Sequence, residues 1–211
     1  RAFMTGGSVR AYVYGSRELL ARFAARNRGA LGAVALVLLV IVAVVMLTRT
    51  FDLHEIVTQQ AGGFWHWNIL RLGASPLMPV AFLIYFICML AEANRAPFDM
   101  VEAESELIAG AFTEYSGMGF ALYFIAEYVN IIVACSVATI LFFGGWQCPF
   151  GLLPGAHWFL IKMYLLCFTV MWVRWSFPRT QFYGLLNLSW KVLIPAALVN
   201  LILTAVAIKV F

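Results

Sequence analysis

The sequence predicts an all-α integral membrane protein of about five transmembrane helices, and three observations predict it. Of 211 residues, 64% are hydrophobic and 11% are charged, with a mean hydropathy of +0.90. A soluble domain carries about a quarter charged residues and roughly half apolar ones, so a core of this size cannot hide so much apolar surface and the bilayer must act as solvent. The apolar residues also fall in runs long enough to cross a hydrocarbon layer of about 30 Å, which takes about 20 helical residues. Finally, the basic residues flank these runs instead of clustering, so the net charge of +4 is no sign of a nucleic-acid partner.

The first run covers 29–48, between Arg28 and Arg49. The second covers 72–91, between Arg71 and Glu92, with Pro76 and Pro79 in its first turns, where a missing amide hydrogen matters least. The third covers 117–146 and is interrupted by one acid, Glu127. The fourth covers 158–173, with Lys162 near its start, and the fifth covers 192–208, where Pro195 predicts a modest kink. Residues 1–28 form a basic flank, and 29–211 a single membrane domain without internal repeats.

Five spans put the chain ends on opposite sides. Arg1, Arg10, Arg17, Arg22, Arg26, Arg28, Arg95, Arg174, Arg179 and Lys191, ten of the fourteen basic residues, then share one side. The positive-inside rule puts that side, with segments 92–116 and 174–191, in the cytoplasm or matrix, and puts 49–71 and 147–157 outside. The Arg-rich flank, whose one acid is Glu18, fits a mitochondrial presequence and an inner-side flank equally well. The expected location is the mitochondrial inner membrane, with a bacterial plasma membrane as the alternative. Cys88, Cys135, Cys148 and Cys167 show no CxxC or Cys/His metal spacing. They read as small apolar residues in helices, and no bound redox centre or metal is expected.

Seven of the ten acids, Glu92, Asp99, Glu102, Glu104, Glu106, Glu114 and Glu127, lie within 36 residues whose only basic residue is Arg95. On an inner-side loop this reverses what topology alone would supply. Mutual repulsion favours proton uptake by such carboxylates. On a helix starting near Asp99, Asp99, Glu102 and Glu106 would share a face and Glu104 would point elsewhere. The plainer alternative is a solvated loop that docks a basic partner. Glu127 sits about ten residues inside its span, where a charge costs at least about 2.5–3.5 kcal/mol. Together with Glu92 at the inner boundary, it is a proton-path candidate. The alternative for Glu127 is a neutral acid hydrogen-bonded to a neighbouring helix.

The stretch AEANRAPFDMVEAESELIAGAFTEYSGMGFALYFIAEYVNII resembles the signature region of NADH dehydrogenase subunit 1, the NuoH-type quinone-site subunit of respiratory complex I. DLHEIV, WVRWSFPR and LSWKVLIPAALVN are similar to that family as well, and the likeness covers roughly 44–200, the family's last five helices. It implies a membrane subunit of proton-translocating NADH:ubiquinone oxidoreductase that lines the quinone chamber and starts the carboxylate relay. Glu92 and Glu127 match the family's channel acids. Arg95, Asp99, Glu102, Glu104, Glu106 and Glu114 match the inner loop bordering the chamber, and Arg174 and Arg179 match the second inner loop. The implied substrate is ubiquinone, with FMN and iron–sulfur clusters held by partner subunits. The implied partners are the other complex I membrane subunits, the hydrophilic quinone-module subunits, the lipid bilayer, and a separate chain or missing segment supplying the family's first three helices.

Three departures stand out. The family's first three helices have no counterpart. A relay acid usual in the helix before DLHEIV would fall near Val34, yet the run from Arg28 to Arg49 holds no acid. The usual Pro-Arg-x-Arg-Tyr-Asp-Gln-Leu loop reads Pro178-Arg179-Thr180-Gln181-Phe182-Tyr183-Gly184-Leu185, losing an Arg and an Asp together. Other readings are the membrane subunit of an energy-converting hydrogenase, separated by quinone dependence, and a structural fragment of a split subunit. A free-standing ion transporter would predict activity without a peripheral arm, and the absence of an inverted repeat speaks against it.

Overall fold

The computed structural model describes residues 28–70, 77–93, 95, 97, 98, 117–151, 154–178, 180, 184 and 187–210, and all regular structure among these described residues is helical. Helix α1 is Arg28–Thr48. It stops where Arg49 turns left-handed at φ 57° and its amide donates back to the Val45 carbonyl at 2.7 Å. The chain then bends by 59° into α2, Leu53–Gln59. Asp52 caps α2 by accepting from the His54 amide at 2.9 Å, and Glu55 accepts from the Thr50 hydroxyl at 2.7 Å. The two acids of DLHEIV therefore serve this turn.

Helix α3 is Met78–Glu92, with Pro79 in its first turn. Helix α4 is Met118–Phe142, α5 is Ala156–Ser176, and α6 is Ile194–Val210. A π-helical turn, Ser189–Leu193, leads into α6. Pro195 explains it: an α-helical register would push the proline ring into the Lys191 carbonyl. Widening the turn avoids that clash, and the Ile194 amide donates to the Ser189 carbonyl five residues back. The proline thus produces a π turn where the sequence predicts a kink.

Among the described residues, Met118–Phe142, Ala156–Ser176 and Ser189–Lys209 are each long and apolar enough to cross a membrane, and the bent pair of α1 and α2 makes a fourth when its two helices are taken as one broken span. Helix α3 has 15 residues and covers about 22 Å; residues 71–76 before it lie outside the described ones. Helix α1 packs on α3 and α6, while α4 packs on α5, α2 and α3. Leu36, Val40 and Val44, one stripe of α1, are buried in one cluster with Ala81, Ile84 and Cys88 of α3. The outward faces are apolar too: Leu38, Leu83, Leu122, Leu165 and Phe168 are all exposed. Water would not tolerate that surface, and lipid covers it. Trp65, Trp175 and Trp190 stand exposed near helix ends, the level at which indoles anchor a protein to the membrane boundary.

Helix α4 ends inside the protein, so its last four carbonyls need donors. Each has its own. Gln60 Nε2 donates to Ile140 O at 3.1 Å, Asn68 Nδ2 to Leu141 O at 2.8 Å, the Ile69 amide to Phe142 O at 3.2 Å, and Lys162 Nζ to Phe143 O at 2.7 Å. Gly144 and Gly145 follow with φ of 70° and 49°. A Cβ on either would lie 2.8 Å from Trp67 or Val57 respectively, so only glycine fits this turn. Farther along the bundle, Asn200 Nδ2 of α6 donates to Leu77 O at 3.1 Å and Tyr85 OH of α3 donates to Ala134 O of α4 at 3.0 Å.

Candidate functional site

The chain leaving α3 folds back at once. The Arg95 amide donates to Leu90 O at 3.2 Å, and the Phe98 amide donates to Arg95 O at 2.9 Å. This turn carries the Arg95 side chain into the bundle, where it is 5% exposed. Its Nε lies 3.6 Å from Glu127 Oε1, and its Cζ lies 4.5 Å from the centre of the Tyr128 ring. A separation of 3.6 Å is an ion pair and not a hydrogen bond. Accordingly, Arg95 Nε and Nη2 have no hydrogen-bond partner among the described residues.

Two cavities meet at this pair. Glu92 and Glu127 line one of about 160 Å³, together with Tyr123 and Asn130. A space of that size walled by carboxylates, a phenol and an amide has room and partners for water. Arg95 lines the other, of about 280 Å³, together with Tyr128 and with Arg174 of α5. The guanidinium of Arg95 therefore touches both: it forms part of one wall and pairs with an acid of the other. Two inner segments are tied together nearby, since the Thr180 amide and hydroxyl donate to Pro97 O at 2.8 and 2.9 Å.

The structure thus brings together Glu92, Arg95, Glu127 and Arg174 of the residues singled out by sequence. Asp99, Glu102, Glu104, Glu106, Glu114 and Arg179 lie outside the described residues, as does the expected shared face of Asp99, Glu102 and Glu106. Val34, the position where a further acid would be expected, is 40% exposed on α1. Cys88, Cys135 and Cys148 are buried and Cys167 is half-buried; Cys148 lies in the turn after α4. Sequence reasoning missed two things. It assigned Arg95 to a loop, although the only cation in an acidic stretch is the natural counterion for the half-buried Glu127. It also passed over Lys162, which is 8% exposed and donates to Phe143 O, Gly145 O and Gln147 O at 2.7, 3.1 and 2.6 Å. Its Nζ also sits 4.2 Å over the Trp67 ring. A lysine inside an apolar span with no acid nearby in sequence was the available signal.

An all-helical bundle with apolar outer faces and an arginine–carboxylate pair between two cavities is an integral membrane protein with ionisable groups among its helices. A sequence profile described as NADH dehydrogenase matches residues 31–205, and the chain belongs to that family. It is 60% identical over 177 residues to the NADH-quinone oxidoreductase H subunit of Desulfotalea psychrophila, covering 82% of this chain and 53% of that one. It is 44% identical over 171 residues to the second such H subunit of Geobacter metallireducens, covering 81% and 47%. The corresponding protein of Carboxydothermus hydrogenoformans is 44% identical over 177 residues, covering 83% and 48%. The chain spans about half the length of the curated relatives it matches. These relatives are bacterial, so of the two expected membranes the bacterial plasma membrane is supported and the mitochondrial one is not.

Proposed function

We propose that this chain acts as part of the membrane subunit of a proton-translocating NADH:quinone oxidoreductase, bordering the quinone chamber and opening a carboxylate relay into the membrane. The observation that carries this reading is the pair of acids, Glu92 and Glu127, from two helices on one cavity, with the Arg95 guanidinium 3.6 Å from Glu127. Carboxylates that share a wettable space can pass a proton through water, and a guanidinium beside one of them makes its affinity for that proton depend on where the arginine points. Arg95 and Arg174 border the neighbouring cavity, so a change of charge there reaches Glu127 through Arg95. In this scheme the quinone, the flavin and the iron–sulfur clusters are met only in assembly with partner subunits, which carry the redox chemistry. By the resemblance in sequence, Asp99, Glu102, Glu104, Glu106, Glu114 and Arg179 belong to the inner loops that meet those partners.

The test uses the assembled enzyme in sealed vesicles. Glu127→Gln or Glu92→Gln should lower the number of protons moved per quinone reduced, because an amide cannot bind and release a proton in this range. An unchanged stoichiometry refutes the relay. Electron transfer that does not depend on quinone points to the hydrogenase-type assembly instead.

A further inference from the structure

We propose that the cavity between the inner halves of α4 and α5 binds an anionic phospholipid, with its phosphodiester on Arg95 and Arg174 and an acyl chain along α5. Two arginines from separate segments line this one space of about 280 Å³. Arg95 is nearly buried, yet two of its nitrogens have no hydrogen-bond partner among the described residues. The guanidinium fork suits the paired oxygens of a phosphodiester.

The remaining wall has the shape and polarity of a lipid tail. Tyr164 and Trp175 both line the cavity, and at 1.5 Å per residue they stand about 16 Å apart along α5. The arginines sit at the Trp175 end, and Ile132 and Met171 occupy the stretch between. Charge at one end and an apolar flank along the rest is the polarity of a phospholipid. Tyr164 is 63% exposed, Met171 57% and Trp175 88%, so the groove opens sideways onto the surface that faces lipid, and a tail enters without crossing water. The basic flanks place the Arg174 end at the inner leaflet, where cationic pockets between helices suit anionic headgroups. A zwitterionic headgroup carries its own ammonium toward the arginines and fits less well.

The experiment uses the membrane complex that contains this chain, held in phosphatidylcholine nanodiscs and exposed to phosphatidylglycerol bearing a photoreactive group midway along one chain. Adducts should concentrate on the peptides carrying Ile132 and Met171, and unlabelled phosphatidylglycerol should displace them where added phosphatidylcholine does not. Arg174→Gln should lower the yield roughly fivefold. Lys191→Gln, which removes an inner-side charge away from the cavity, should leave it unchanged. Adducts spread evenly over all exposed helices, equal displacement by phosphatidylcholine, equal loss in both variants, displacement by a quinone alone, or no adduct at the groove would each overturn the proposal. The competition measurement needs no variant, so it stands even if Arg174→Gln fails to assemble.

Discussion

Replacing Lys162 with methionine tests how the outer end of the bundle is held. An ammonium carries three N–H donors, and Lys162 directs them to Phe143 O, Gly145 O and Gln147 O at 2.6–3.1 Å. Methionine keeps most of the side-chain volume and none of the donors. A buried acceptor left without a partner costs about 1–3 kcal/mol. Two of the three carbonyl contacts are only partly buried, so water recovers some of that cost, and relief of the burial cost of the ammonium recovers more. The net expectation is about 2–4 kcal/mol, or roughly 30- to 1000-fold in the folding equilibrium. At about 2–4 °C per kcal/mol for a chain of this size, melting falls by about 4–16 °C. Heating the detergent-solubilised protein while following its helical circular dichroism reads the shift directly. Lys162→Arg should restore only part of it, because a planar fork cannot reach three carbonyls arranged around a point charge. A methionine variant that melts with the unaltered protein would refute the claim that this lysine holds the end of α4.

Other expectations follow from the same contacts. Gly145→Ala forces a Cβ to within 2.8 Å of Val57 at a positive φ, and should lower stability by about 1–3 kcal/mol, seen as a lower melting temperature with unchanged helix content. Asn200→Leu removes the bonds to Leu77 O and Thr204 and should cost about 1–3 kcal/mol; Thr204→Val added to it should cost little more, which a double-mutant cycle measures. On the proposed function, Glu104→Gln or Glu106→Gln should depress quinone reduction while NADH oxidation by an artificial acceptor survives, and equal loss of both would indicate failed assembly.

The helices were legible because twenty apolar residues in a row have few fates other than crossing a bilayer. Their ends were less so. The third apolar run continues to Trp146, but α4 stops at Phe142, because Gly144 and Gly145 turn left-handed and the donors for its last carbonyls arrive from Gln60, Asn68, Ile69 and Lys162. Gln60 is 80 positions away from the carbonyl it serves, and no local pattern announces such a bond. The π turn was half legible: Pro195 marks the place, but whether a helix kinks or widens depends on packing around it. In the candidate site, Glu127 stood out because a mid-span acid is costly. Arg95 did not, because three residues beyond a helix end reads as solvent. Only the turn back onto Leu90 O brings it inside.

The two ends of α4 are built to different standards. At the outer end its last four carbonyls have donors, the ammonium of Lys162 has three acceptors, and two glycines allow contacts that no side chain would permit. At the inner end the ion pair is long, two guanidinium nitrogens lack hydrogen-bond partners among the described residues, and cavities flank the pair on both sides. Among the described residues the last carbonyls of α4 at the outer end are satisfied and two guanidinium nitrogens at the inner end are not, and local opening is cheapest where polar groups are least satisfied. In the proposed relay, where Arg95 changes partner without unfolding the bundle, this is the useful division. The completed bonds at the outer end keep the bundle registered, and the incomplete ones around Arg95 leave it more than one place to go.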